Sequence, residues 1–418
     1  MNTRIVNARI LTLAGPRRRR ASSLGDLGVI RRGSVHIDGE TIVDVQHEGP
    51  QDHSTSMRDE RVIDARGRVL MPGFVDAHTH ACWAGTRLDE WELQLRGEPY
   101  LDILARGGGI MSTVRAVRQA SEQALTEGLV DRLNAMLVHG TTTVEVKSGY
   151  GLTTTDELKM LHAIRRADDL FAGEVVPTAL LGHAIDRDTP DFVNLTIQDT
   201  LDAVHEAFPG ITVDAYCEQG AWSLAECARL FEKAIALGHP IRAHADQFHS
   251  LGLVEWAVAK GAVSVDHLEA ATTETIAALA GSDTFGVLLP CAGFHTDNRF
   301  APGRTLVDAG GLLGLATNYN PGSAPCGSMP TAMALAVRKA GLTPAEAIVA
   351  ATLHGAEILH LHDRGQIVPG QRADLVLLRH DDERCLTWEF GFNPVEIVWV
   401  AGRPVVDRSQ AESRSCDR

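Results

Sequence analysis

The sequence predicts an α/β protein: a (β/α)8 TIM-type barrel over residues 69–365, beside a small β-sandwich domain composed of both chain ends, residues 1–68 and 366–418. Three observations carry this. Eight strand-like segments alternate with helix-like ones from Val69 to about Ala350, and eight is the number that closes a parallel barrel. Helix-start signals fall between those segments. Short strand patterns with tight turns flank the alternating region, too few at either end to bury a face alone.

In chain order, Arg4–Leu13, Gly33–Ile37 and Ile42–Val45 read as short strands, with Asp38-Gly39 marking a tight turn. The run Arg17–Arg20 lies between strands and is expected to be a solvated loop. The barrel strands are expected at Phe74–His80, Thr142–Gly149, Val175–His183, Ile211–Glu218, Ile241–Asp246, Val263–His267, Phe285–Pro290 and Leu312–Asn318. Between them, Ser223-x-x-Glu226 is a capping box, followed by an apolar stripe through Cys227 and Phe231 and by Gly238 as a stop. Thr154-x-x-Glu157 and Thr343-Pro344-x-Glu346 repeat the signal, the latter with proline at the first helical position. Strands return at Ala373–Leu378, Val395–Val400 and Pro404–Val406, with Ala401-Gly402 as a turn.

Composition narrows the function. The 418 residues carry 39 Lys+Arg against 54 Asp+Glu, a net charge of −15, which excludes nucleic-acid binding by bulk electrostatics. With 44% hydrophobic and 22% charged residues, the chain matches ordinary globular proteins. No stretch approaches the roughly 18 apolar residues of a membrane span, and the N-terminus lacks a secretory apolar region, so a cytoplasmic protein with no membrane partner is expected. The seven cysteines are scattered without a Cys-x-x-Cys pair, which disfavours a disulfide framework and a thiolate zinc site alike. A metal would have to be held by histidine and oxygen.

The histidines sort accordingly. Polar residues at the C-terminal ends of barrel strands face the site, and side chains alternate along a strand. His78 and His80 therefore point the same way at the end of the first strand, where the chain reads Asp76-Ala77-His78-Thr79-His80. His183, His244 and His267 end the third, fifth and sixth strands. Five converging imidazoles point to a mononuclear metal site, with zinc or iron suited to such ligands, able to activate water and polarise a carbonyl. His267 can stabilise an oxyanion or shuttle a proton. Arg87, seven residues after His80, can offer a bidentate fork to a carboxylate. The turn Asn320-Pro321-Gly322 with Ser323 can present backbone N–H groups and a hydroxyl to an anion.

The His-x-His after Leu70-Met71-Pro72-Gly73-Phe74 resembles the amidohydrolase superfamily. The stretch Thr141–Leu152 with its Ser-Gly-Tyr-Gly-Leu, together with Leu181-Gly182-His183-Ala184, His244-Ala245-Asp246-Gln247 and Asn320-Pro321-Gly322, is similar to the imidazolonepropionase family within it. Guanine deaminases and formimidoylglutamate iminohydrolases share the His-x-His but not that combination. The resemblance implies one divalent or trivalent ion, Zn or Fe, on His78, His80, His244 and a fourth ligand at the end of the eighth strand. It implies substrate contacts from Arg87, Tyr100, Tyr150, His183, Gln247, Asn320, Gly322 and Ser323, and a homodimer. The activity implied is hydrolytic opening of 4-imidazolone-5-propanoate, a small carboxylate-bearing ring, to N-formimidoyl-L-glutamate.

One position departs. The family reads Thr-Asp-x-Asn-Pro-Gly at the eighth strand, and this chain reads Thr317-Asn318-Tyr319-Asn320-Pro321-Gly322. The carboxylate there ligates the metal and takes a proton from water; an amide oxygen can do the first and not the second. Asn318 leaves three alternatives: weakened or altered activity, an introduced substitution, or binding without turnover. A related deaminase or iminohydrolase acting on another nitrogen heterocycle is a further one. Gln247 stands where some relatives carry Glu and is within the family's range. Three histidines and one oxygen complete a single site, so Lys147 is expected to be unmodified. Gly107-Gly108-Gly109 reads as a flexible lid or a helix start rather than a phosphate loop.

Overall fold

The computed structural model describes residues 2–49, 60–97 and 108–409. Eight parallel strands lie side by side in chain order: Phe74–Asp76, Thr141–Lys147, Glu174–Gly182, Thr212–Tyr216, Ile241–Ala245, Ser264–His267, Phe285–Leu288 and Leu312–Leu315. The eighth returns to the first through a parallel bridge between Thr79 and Tyr319, a bond from Asn318 N to His78 O at 3.0 Å, and the Thr317 hydroxyl donating to Asp76 at 2.6 Å. The barrel of the sequence reading is thus closed. Most strands end a few residues earlier than expected, because the chain beyond them turns toward the mouth and leaves the ladder. The strands are buried on both faces, with Val144, Ala179, Val213, Ala243, Val265, Val287 and Leu313 among their core positions.

The helix signals hold with one correction. Ser223 with Glu226 and Thr343 with Glu346 form capping boxes, Pro344 taking the first helical turn of Pro344–Ala350. In the helix Thr154–Leu170 the cap is Thr153, not Thr154. Its side chain accepts from Asp156 N at 3.1 Å. Glu157 is therefore released from capping, and its role lies at the site described below. Gly109, with φ 73, starts the helix Ile110–Gln119, in line with the helix-start reading of the glycine run; Gly107 lies outside the described residues.

Both chain ends build a second, mixed sheet. Its strands run Arg403–Asp407, Val395–Val400, Leu375–Leu378, Val69–Pro72, Asn2–Leu11, Val29–Asp38, Thr41–His47, with Arg61–Asp64 parallel to the N-terminal strand. Thr41 bridges back to Arg372, and Ile42 exchanges backbone bonds with Gln371 and Gly370, so the sheet folds over a core of Ile5, Ile10, Val35, Ile37, Leu70, Leu375, Leu377 and Trp399. That is the sandwich-like unit expected. Arg61–Asp64 has no clear pattern, because all of it but Ile63 is exposed. Val69–Pro72, placed with the barrel by sequence, pairs in this sheet, and the chain crosses to the barrel at Gly73, where a Cβ would lie 2.3 Å from the Thr142 hydroxyl.

The basic run is not a solvated loop. Arg17 binds Glu357 at 2.5 Å, and buried Arg19 donates to the carbonyls of Leu13, Ala14, Pro16 and Asp26. Arg20 reaches the carbonyl of Ala280, the last residue of the helix Thr273–Ala280, and that of Gly310, beyond the helix Gly303–Asp308. Cations there satisfy helix-end carbonyls and pin the first β unit against the barrel.

Candidate active site

The second barrel strand, Thr141–Lys147, places two charges in a fully buried wall. Lys147 Nζ sits 2.6 Å from Glu145 and 2.9 Å from Asp214, with all three side chains fully buried. This geometry fits an ammonium between two carboxylates; a carbamate would put a third anion there. Asp214 in turn faces His244 Nδ1 at 3.0 Å. A parallel relay starts at Arg242, which donates to Asp266 at 2.7 Å and to the Ala77 carbonyl at 2.7 Å. Asp266 accepts from His78 Nδ1 at 2.6 Å. Two of the three imidazoles are thus held from behind by carboxylates, which fixes their tautomers with Nε2 outward.

One ring nitrogen from each of His78, His80 and His244 lies within 4.8 Å of the others. Burial pushes the His78 and His80 imidazoles well below their usual range, with Lys147 adding to the shift at His78 and His183 at His80. His244 is lowered by burial too, with Asp214 pulling the other way. Neutral imidazoles are the form that binds a metal. His78 Nε2, His80 Nδ1 and Asn318 Oδ1 are buried polar atoms without a hydrogen-bond partner. The three histidines and the Asn318 amide oxygen therefore fit a divalent ion of the imidazole- and oxygen-binding kind. Asn318 takes a left-handed backbone, φ 58, which asparagine and aspartate adopt more readily than other residues.

Above this cluster opens a cavity of about 530 Å³. His80, Arg87, Tyr150, His183, His244, Gln247, His267, Asn318, Asn320, Gly322 and Ser323, all singled out in the sequence, line it together. His78 lies beneath it, and Tyr100 falls outside the described residues. Sequence reasoning missed Tyr216, Gln94, Ile110, Phe248, Thr296 and Asp297 on the same wall. Only Tyr216 had a signal, the polar end of the expected fourth strand.

Glu157 shapes the wall at Tyr150. Its buried carboxylate accepts from the backbone of Gly149, Gly151 and Leu152 at 2.8–2.9 Å, so the loop is wound around one side chain. Gly149 has φ 105, and a Cβ there would lie 2.8 Å from Leu180 O and 3.0 Å from His183 Nδ1. Its carbonyl accepts from His183 Nδ1 at 2.9 Å, leaving Nε2 as the ring's acceptor; burial pushes this imidazole down to about 3. His183 stacks on His80, and burial raises the Tyr150 phenol, which keeps its proton. His267 Nδ1 faces the Glu269 carboxylate at 3.2 Å.

One expectation needs correction. Asn320 Oδ1 accepts from Gly322 N at 2.8 Å and Ser323 N at 2.7 Å, and its amide donates to Asn318 O. The backbone donors of this turn hold the turn together, so they are not free for an anion. The positive charge beside it is Arg87, close enough to Gly322 that a Cβ there would lie 2.7 Å from Nη1.

The chain matches the model of the amidohydrolase family over residues 69–405. It is 45% identical to the imidazolonepropionase of Herpetosiphon aurantiacus, with 94% of each chain covered. It is 41% identical to that of Deinococcus radiodurans, covering 94% of this chain and 97% of the other. Among solved structures it is similar to atrazine chlorohydrolase TrzN from Arthrobacter aurescens complexed with zinc, with TM-score 0.71 and 17% identity over 99% of this chain and 98% of that one. An adenosine deaminase from Xanthomonas campestris with bound zinc aligns with TM-score 0.68 and 19% identity over 99% and 98%. At such identities these two establish the fold alone.

Proposed function

This chain belongs to the amidohydrolase family, on its imidazolonepropionase branch, and from that membership we propose how its barrel mouth works. It hydrolyses 4-imidazolone-5-propanoate to N-formimidoyl-L-glutamate in histidine degradation, water adding to the ring carbonyl carbon as the ring C–N bond breaks. The observation that carries the reading is the cluster of three neutral imidazoles, two of which, His80 and His244, line the same cavity as Arg87.

A divalent ion on His78, His80, His244 and Asn318 Oδ1, zinc or iron, would supply water activation and carbonyl polarisation. The remaining work falls to the chain. Arg87 binds the propanoate, which resolves how a chain of net charge −15 takes an anionic substrate: the positive potential is local. His183 Nε2 accepts a ring N–H, and protonated Tyr150 donates beside it. Gln247 offers its amide to the ring. His267, with Nδ1 turned to Glu269, presents Nε2 to the reacting atoms and carries the proton that Asn318 has no group to take. We assign these roles to a cytoplasmic homodimer with a small-molecule substrate and no nucleic-acid or membrane partner. No helix among the described residues is long and apolar enough to cross a membrane.

The amide of Asn318, which cannot take a proton from water, favours a second reading, tight binding with little turnover. Product analysis of the metal-loaded protein decides: ring opening yields formimidoylglutamate and no ammonia, a deaminase releases ammonia, and a silent binder yields neither.

A further inference from the structure

Arg87 precedes the short helix Leu88–Leu95, and one turn on it meets Glu90. Glu90 Oε2 lies 2.8 Å from Arg87 Nε and 2.7 Å from Nη2, and the same oxygen accepts from Gly109 N at 3.0 Å. Both side chains are largely buried, at 13% and 12% exposure, so water competes weakly for these contacts. A guanidinium has two edges that can fork a carboxylate, the side-on pair Nε/Nη2 and the end-on pair Nη1/Nη2. Glu90 occupies the side-on edge. What remains toward the cavity is the end-on edge, whose Nη1 is backed by Gly322. Gly109 caps the helix that begins at Ile110, itself on the cavity wall, so one carboxylate oxygen ties the cation to that part of the wall.

We propose that Glu90 is a positioning residue that sets specificity for a carboxylate-bearing substrate: by holding Arg87 side-on between itself and Gly322, it presents only the end-on fork to the ligand. This rests on the reading of the site as one for an imidazolone carrying a propanoate. Glu90 acts through Arg87 and touches no reacting atom. Its loss frees the guanidinium to rotate, which weakens recognition of the carboxylate and leaves the chemistry at the ring unchanged.

The test compares KM and kcat for 4-imidazolone-5-propanoate and for its propanamide analogue in the metal-loaded full chain. Glu90→Ala is expected to raise KM for the acid at least about tenfold with kcat within about threefold, and to leave KM for the amide within about twofold. Glu90→Gln keeps an acceptor for Arg87 Nε and Gly109 N and is expected to recover most of the loss. Thermal denaturation of both variants reports whether they fold. If the wild-type chain prefers the acid and Glu90→Ala keeps that preference, or if acid and amide suffer equally, the role of Glu90 is overturned while the reading of the site stands. If the wild-type chain treats acid and amide alike, that reading fails and this one with it.

Discussion

Asp266 holds His78 by a 2.6 Å contact to Nδ1 and is itself held by Arg242 at 2.7 Å, so the imidazole that lies deepest under the cavity cannot turn its Nε2 away from the other two. Groups behind a metal ligand set its orientation and basicity. Asp266→Asn is expected to weaken metal binding about 10- to 100-fold. Metal content after dialysis against graded chelator measures it, and wild-type retention would refute the role.

Lys147 joins the two relays beneath the site. Removing one partner from a buried charge cluster leaves excess charge behind, so Lys147→Met, which takes the ammonium from Glu145 and Asp214 and leaves two carboxylates with Arg242 as their nearest cation, is expected to cost about 3–5 kcal/mol of stability. Urea denaturation reads this directly. A loss under about 1 kcal/mol would mean the cluster reorganises.

Gly149 is constrained by backbone and neighbour at once. Gly149→Ala adds a Cβ 2.8 Å from Leu180 O at φ 105, which must displace the carbonyl that orients His183. Displacements on the ångström scale at a positioned group commonly cost one or two orders of magnitude, so kcat/KM is expected to fall at least about tenfold. Steady-state kinetics beside a thermal melt separate this from unfolding.

Arg19 tests the opposite end of the molecule. Arg19→Ala strips a donor from four carbonyls, and each left buried without a partner costs about 1–3 kcal/mol. The melting temperature is expected to fall while KM stays unchanged, because the residue is remote from the mouth. A changed KM would show that the N-terminal unit and the mouth are coupled.

The strands and the histidines were legible because each follows a period. His-x-His keeps two side chains on one face, and the barrel rule gathers strand ends that are far apart in sequence. What stayed hidden depends on contacts that no local pattern encodes. Arg17–Arg20 looks like any solvated basic loop until the carbonyls of Ala280, at the end of one helix, and Gly310, just past another, both more than 250 residues away, are placed beside it. Val69–Pro72 is apolar in either sheet, so its pairing had to come from the fold. Thr154 and Glu157 have capping-box spacing, yet the neighbouring Thr153 takes the cap and Glu157 organises the Tyr150 loop. Asn320 was expected to serve a ligand and serves its own turn. Glu145, Lys147 and Asp214 did leave a trace, as charges within strands whose other residues are uncharged.

Asn318 stands where the resemblance implies an aspartate. Its left-handed backbone suits aspartate as well, so Asn318→Asp adds a carboxylate without new strain. A missing general base costs about 10²–10⁴ in rate, part of which the His267–Glu269 pair can make good. The most direct measurement is single-turnover conversion of 4-imidazolone-5-propanoate by the metal-loaded chain and by Asn318→Asp. Both are expected to form N-formimidoyl-L-glutamate without ammonia, the aspartate variant at least about tenfold faster. Equal rates would contradict the base assignment, and ammonia, or no product from either protein, would contradict the account as a whole.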